Sequence, residues 1–227
     1  MELSTISDIF DMGLNSPITG VVKDEYEKSV LLTRAQDVYY DAILKNFEVT
    51  NTISEKIDRL LITKDITTFT DDLFSGKVAD LEVYTRKVLR ERITFTNTDD
   101  TIPIFRGTSS QVREERLSEI ESSLDNPFRK PGEHFVLRAI QESLSFNNVS
   151  LYIPKDTKIE KYTVTLAIEP EPIILEDLPD GLTIREKNIA TIDLQFKDKD
   201  IEKIIEIAVA MALNAVQPVP QEETTEK

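Results

Sequence analysis

The sequence predicts an α+β fold with an N-terminal helical layer, a mixed and mainly antiparallel β core, and a long C-terminal helix. Three observations predict it. Apolar residues recur at three- and four-residue steps through the first sixty residues, which is helical spacing. From Thr63 the texture shifts to Thr, Val, Ile, Phe and Tyr, which favour strands. From Asp198 to about Asn214 a single apolar helix closes the ordered part of the chain. The reading along the chain is residues 1–62 helical, 63–197 β-rich with one helix near 110–124, 198–216 the C-terminal helix, and 217–227 a polar tail.

In the helical part, Ile6, Ile9, Phe10 and Leu14 mark a helix over Ser4–Leu14. Asp24 followed by Glu27 resembles a capping box that opens a helix running to about Asn46. Leu31, Ala35, Val38 and Ala42 form its expected stripe, widened by Leu32, Tyr39 and Ile43. A third helix is expected over Thr52–Leu61.

In the β-rich part, Ile66–Phe69 is a candidate strand. Leu81–Phe95 fits either period, and its β-branched and aromatic ends favour strand. Asn97–Asp100 reads as a hairpin turn into Ile102–Phe105. Ser109 or Ser110 is placed to cap a helix with Val112, Leu117, Ile120 and Leu124 inside. The run Asn126-Pro-Phe-Arg-Lys-Pro-Gly132 forces a fixed, non-regular path. Phe135–Ile140 and Val149–Ile153 are strands bridged by a polar loop around Asn147 and Asn148. Tyr162, Val164, Leu166 and Ile168 alternate with polar neighbours, which is a strand with one buried face. Pro170 and Pro172 cannot donate to a ladder and stop it. Ile173–Leu175 is expected to restart a short strand, and Pro179-Asp180-Gly181 is a tight turn.

The closing helix begins with Asp198 or Asp200 as cap and carries Ile201, Ile204, Ile205, Ala208, Met211 and Ala212 in one stripe. Its second half, Ile207–Leu213, is apolar all round. Such a segment is buried on every side, either in its own core or against a second chain.

Composition bounds the chemistry. The 227 residues suffice for one large or two small domains. There is no cysteine, which excludes disulfides and thiolate metal sites. The net charge of −15 argues against binding nucleic acid through phosphate contacts. No run resembles a signal peptide or a membrane span, so a soluble protein made in a cytoplasm is expected. His134 is the only histidine and has no catalytic neighbour. Acidic pairs such as Asp71-Asp72 and Glu114-Glu115 are what 42 acidic residues produce by chance, and a hydrolase would need two carboxylates facing across a cleft. Gly107-Thr-Ser-Ser lacks the lysine and spacing of a phosphate loop. No enzyme and no cofactor or metal is expected.

Three separated stretches carry a family resemblance: Asp24–Gln36, Asn126–Pro131 with Val136–Arg138, and Glu169–Leu182 followed by the helix ending Ile207–Ala212. Together they are similar to a structural neck and tail ring family, portal-proximal adaptors, of crAss-like bacteriophages. The order is kept over most of the chain. The departure lies around Ile184–Phe196, where many relatives carry a Cys-Glu-Leu step and this chain has Thr191-Ile-Asp-Leu194. The resemblance implies a virion protein, made in the bacterial cytoplasm, that forms a ring, usually twelve-fold. Its partners would be copies of itself, the portal, other neck and tail rings, and DNA passing without specific binding. No membrane is involved. The alternative is a docking or scaffold module outside any ring. For a ring, the candidate interface residues are Ile204, Ala208, Met211 and Leu213, with Pro170, Pro172 and Pro179 shaping the segment before them.

Overall fold

The computed structural model describes residues 1–14, 23–46, 57–71, 76–97, 109–132, 135–140, 146–154 and 157–214. Among the described residues, four helices and seven strands make an α+β fold, and every strand pairing except one is antiparallel. Contacts group the chain into two units: residues 60–169, and residues 1–59 with 170–227.

The continuous unit is a sheet built around one long strand. Its strands are β1 (Leu61–Ile66), β2 (Thr70–Asp71), β3 (Lys77–Asn97), β4 (Ser109–Arg116), β5 (Phe135–Ile140), β6 (Phe146–Tyr152) and β7 (Thr157–Ile168). The order is β1-β7-β3-β4-β5-β6, and the first part of β3 also pairs with β6. Strands β3, β4, β5 and β6 therefore close on themselves. Such closure bends β3 sharply, and register shifts between Asp80 and Thr85 and again between Thr85 and Lys87 supply the bend. The helix expected near 110–124 is shorter than predicted: Ser109–Arg116 is strand, and the helix covers Leu117–Asp125 only. The strand forms because β4 lies parallel to β5, Val112 opposite Val136. Partners on the sheet absorb its charges: Arg113 stacks 4.1 Å over Phe135, and Glu114 pairs with Arg138. The helix then serves as the crossover that a parallel pair requires. It covers Leu137, Ala139 and Tyr152 with Ile120 and Leu124.

Alternation along β5 sends Leu137 and Ala139 to that helix and Val136 to the main core of Ile93, Phe95, Leu151, Tyr162 and Leu166. Arg138 shares the parity of Val136 and is buried as well. Its Nε donates to Glu91 at 2.9 Å, and the Tyr162 hydroxyl donates to the other oxygen of Glu91 at 2.6 Å. Burial raises the Glu91 carboxyl above the ordinary glutamate range, while Arg138 and Tyr162 pull it back.

The remaining expectations in this unit need correction in detail. Ile66 ends β1, and Thr67–Phe69 is not strand. Asn147 and Asn148 are within β6, where Asn148 pairs opposite Asp80, so the polar loop does not exist there. The turn after Asn97, the strand Ile102–Phe105 and His134 lie outside the described residues. So does most of the expected helix Thr52–Leu61, of which Asp58–Leu60 is a 3-10 turn and Leu61 opens β1.

In the second unit, the N-terminal helix (Leu3–Leu14), the next helix (Glu25–Asn46) and the closing helix (Asp198–Asn214) surround an irregular segment, residues 170–197. In chain order, counting Leu117–Asp125 as α3, these are α1, α2 and α4. Ile6, Phe10 and Leu14 are the buried face of α1. Gly13 permits its close approach to α4, since a Cβ there would meet Val209 at 2.9 Å. Asp24 caps α2, accepting from the Glu27 amide at 2.7 Å. Buried Lys28 bonds Asp11 of α1 at 2.6 Å and Glu25 at 2.8 Å, and these carboxylates outweigh its desolvation and raise its pKa.

The buried face of α2 is not the expected stripe. Val38 and Ala42 are exposed, and Leu31 and Tyr39 are half-buried. Ser29, Thr33 and Gln36 are buried instead, beside Leu32, Ala35 and Tyr40. The cause is the chain that α2 packs on. Ile173–Leu175, expected to be a short strand, has no strand partner, so its polar backbone needs other ones. Thr33 Oγ1 accepts from the Ile173 amide at 3.1 Å and donates to its carbonyl at 3.4 Å. The Leu175 amide donates to Ser29 Oγ at 3.0 Å, and Gln36 Nε2 donates to the Glu171 carbonyl at 3.0 Å. Residues of opposite parity face the far limb of the same segment. The Ile174 amide donates to Thr191 Oγ1 at 2.8 Å, Thr191 Oγ1 donates to the Pro172 carbonyl at 2.8 Å, and the Thr191 amide donates to the Ile174 carbonyl at 2.9 Å. One side of a helix thus stands in for one neighbouring strand.

Two predictions follow from these buried polar groups. Thr33→Val keeps the shape but strands the Ile173 amide, and chemical denaturation should show a loss of about 1–3 kcal/mol, largely recovered in Thr33→Ser. Arg138→Met leaves Glu91 buried without its cation and should cost about 3 kcal/mol or more at neutral pH. The folded-state pKa of Glu91 then lies still further above its unfolded value. Its contribution is most favourable below the unfolded pKa and is lost as pH rises through the folded one. The deficit of Arg138→Met, followed by melts across pH, should therefore shrink on acidification.

Candidate subunit interface

The residues singled out on sequence grounds separate into two groups. Ile204 and Ala208 are fully buried, with Ile201, Ile205 and Ala212, in the unit that α4 forms with α1 and α2. Met211 and Leu213 are only half-buried, and Ala210 is exposed. The second half of α4 is therefore not enclosed on every side by its own chain. Asp198 accepts from the N-terminal ammonium at 2.7 Å. Asp200 is buried against Tyr39, whose pKa is raised by burial and by that carboxylate. Pro170 and Pro172 are buried in the irregular segment, while Pro179 is exposed at the turn closed by the Leu182 amide on the Pro179 carbonyl at 3.0 Å. Gly181 takes φ +88° there, as the turn requires.

Beyond this turn the segment makes a second, tighter reversal. Ile184 and Lys187 exchange two backbone hydrogen bonds, 2.8 and 3.1 Å, around Arg185 at φ +52° and Glu186 at φ +64°. Two consecutive left-handed residues are the geometry of a type I′ turn, normally held by Asn-Gly. Here the strain is held by the Arg185 guanidinium, which donates to the Pro170 carbonyl at 2.7 Å and pairs with Asp37. The Leu178 amide on the Asn188 carbonyl, 2.7 Å, and the Ala190 amide on Asp177, 2.8 Å, fix the return path.

That fixed path presents apolar side chains to solvent. Ile189 is 65% and Ile192 97% exposed. Ile192 stands between two clefts. One, of about 1010 Å³, is shared by the start of α1, the start of α4 and Arg59. The other, of about 490 Å³, has Pro172 and Ile174 in its floor and Ile189, Glu186 and Asp193 around it. In the other unit, the turn after α3 exposes Phe128 to 90%. The Asn126 side chain accepts from the Phe128 amide at 2.9 Å, and its carbonyl accepts from Arg129 and Lys130 at 3.0 and 2.9 Å.

Sequence reasoning anticipated the fixed path of Asn126–Gly132 but not the side chain it displays. Ile189 and Ile192 were missed too. Their signal is two isolated isoleucines in an otherwise polar run, which periodicity does not detect. Among the described residues, no cluster of acidic residues or histidine is arranged to hold a metal ion, and no helix is long and apolar enough to cross a membrane. The described surface thus displays apolar side chains on hydrogen-bonded turns.

Comparison with known proteins agrees with that character. Residues 1–224 match the family described as phage tail ring protein 3/4 of the crAss group. The chain is 32% identical over 202 residues to Ring protein 3 of Bacteroides phage crAss001, covering 81% of this chain and 83% of that protein. The family match runs through residues of both units. The chain is thus a member of the crAss phage tail ring protein 3/4 family, a structural, non-enzymatic component of the virion tail.

Proposed function

We propose that copies of this chain close into a ring, twelve-fold in symmetry, that sits in the neck between portal and tail and continues the DNA channel. The observation that carries the reading is family membership over nearly the whole chain, joined to apolar residues left exposed in each of the two units. A ring subunit makes heterologous contacts and must bury two different surfaces against its neighbours. Met211 and Leu213 on α4 belong to one such surface, with Ile204 and Ala208 holding the helix rigid beneath them and Pro170, Pro172 and Pro179 shaping the segment alongside. The other partners in this reading are the portal and adjoining neck or tail rings. The chain is synthesised in the host cytoplasm before assembly.

Charge supports a passage role. Each copy carries −15. Twelve copies sum to roughly −180, a field that repels phosphates wherever acidic side chains line the lumen. DNA would slide past such a wall without being held.

Electron microscopy of the virion neck at side-chain resolution tests the ring directly. The expected density is a closed twelve-membered ring of this chain, coaxial with the portal. Single copies at the periphery, away from the DNA exit, would establish the docking-module alternative. In solution, the purified chain should not retard duplex DNA even at about 50 mM salt, where phosphate contacts are strongest. Retardation that weakens steeply with salt would rule out passage without binding.

A further inference from the structure

We propose that the Phe128 turn of one copy seats in the Ile189–Ile192 cleft of the next copy, forming the head-to-tail contact of the ring. The inference rests on the ring reading and names the surfaces that make it. Phe128 is 90% exposed on a turn whose backbone is already fixed, so little order is lost when it is buried. Pro127 and Pro131 flank it and stiffen it further. An aromatic ring beside an arginine is the composition of an interface anchor. The cleft is equally preformed. Its wall follows the turn locked by Arg185, and its floor is the buried Pro172–Ile174 backbone held by Thr191. At about 490 Å³ it has room for an aromatic side chain.

Charge selects the partner as a second copy of this chain. Lys130 and Arg129, which lies 4.0 Å from Glu115 yet keeps most of its side chain exposed, make the turn a basic point on a chain of net charge −15. The cleft offers Glu186, exposed, and Asp193, which keeps 81% of its side chain exposed even while paired to Arg59. Glu171 at the same cleft is met by Lys187 at 2.7 Å, which leaves the rim acidic. Two Phe128 turns meeting each other would oppose like charges, and two clefts meeting would leave their carboxylates facing. Only turn-to-cleft pairing is complementary, and such a contact repeats around an axis.

The absence of cysteine makes the test clean. Full-length chains carrying Phe128→Cys or Ile192→Cys are mixed under mild oxidation. The control mixture pairs Phe128→Cys with Glu202→Cys, an exposed position on α4. The expected result is a reducible dimer of the first pair forming about tenfold faster than in the control or in either variant alone, because docking raises the local thiol concentration. One chain bearing both substitutions should yield a reducible ladder of multimers. Equal rates in all mixtures, or an internal bond in the doubly substituted chain, would overturn the proposal. Arg129→Glu with Lys130→Glu should slow the trapping, and Glu186→Lys in the partner should restore part of it. All these side chains are exposed, so an unchanged unfolding midpoint confirms intact folds. The contact and the ring fail separately. A ring seen in the neck without trapping refutes the contact alone, whereas isolated copies in the neck refute the ring.

Discussion

The structure depends on one constraint: an irregular stretch of backbone is buried, and each of its amides and carbonyls needs a partner. Residues 170–197 contain no helix or strand. They are sealed in place because alternate residues of the extended part find two different kinds of neighbour. On one side Ser29, Thr33 and Gln36 of α2 meet Glu171, Ile173 and Leu175. On the other, Thr191 and Asn188 of the returning chain meet Ile174, Pro172 and Leu178. A helix facing this segment with leucines alone would leave the backbone unsatisfied, at a cost of about 1–3 kcal/mol per group. The polar face of α2 is therefore a structural requirement. It also explains why a loop of this length keeps a defined shape, and why the isoleucines at its outer limb are held out in fixed positions.

The sheet unit solves a related problem with charge. Closure of β3, β4, β5 and β6 places Arg138 inside, and an unpaired guanidinium there would be intolerable. Glu91 from β3, Glu114 from β4 and Tyr162, which donates to Glu91 from β7, join it into one set. Such a set adds little net stability over a well-packed apolar core, because burial of each ion is costly. Its effect is on uniqueness. A one-residue slip of β5 would turn Arg138 away from Glu91 and bury Leu137 in its place. Four strands are thus tied to one register.

Much of this was legible in the chain. The closing helix, the first helix, the Asp24 cap, the strand at Tyr162–Ile168 and the α+β class follow from period and capping alone, since each is decided by nearest neighbours. What was not legible depended on partners distant in sequence. The stripe through Leu31 and Val38 was read as the inner face of α2 because apolar residues usually are. The true face is half polar, and only the buried backbone of Ile173 explains it. Ser109–Arg116 looked like a helix because its charges fit a solvated helical face. Arg138 and Phe135, more than twenty residues onward, make it a strand. At the candidate interface, Ile204 and Ala208 were singled out for being apolar, and they are core. The apolar residues left exposed, Phe128, Ile189 and Ile192, are ones that periodicity could not place.

A chain this acidic sets a condition on any ring it builds. Copies of net charge −15 repel one another, so self-association must be driven by short-range contact strong enough to offset the long-range field. Apolar anchors do that without regard to charge, and they work best where the backbone beneath them is already ordered. Two of the exposed apolar features satisfy the condition. The Phe128 turn is fixed by Asn126, and the Ile189–Ile192 limb is fixed by Asp177, Thr191 and the Arg185 clamp. In the proposed contact, repulsion elsewhere then becomes useful, because it penalises arrangements that do not bring Arg129 and Lys130 against carboxylates. In the proposed contact, the same charge that makes indiscriminate aggregation costly would favour the turn-to-cleft geometry, and a single heterologous geometry is what allows identical subunits to close into a ring.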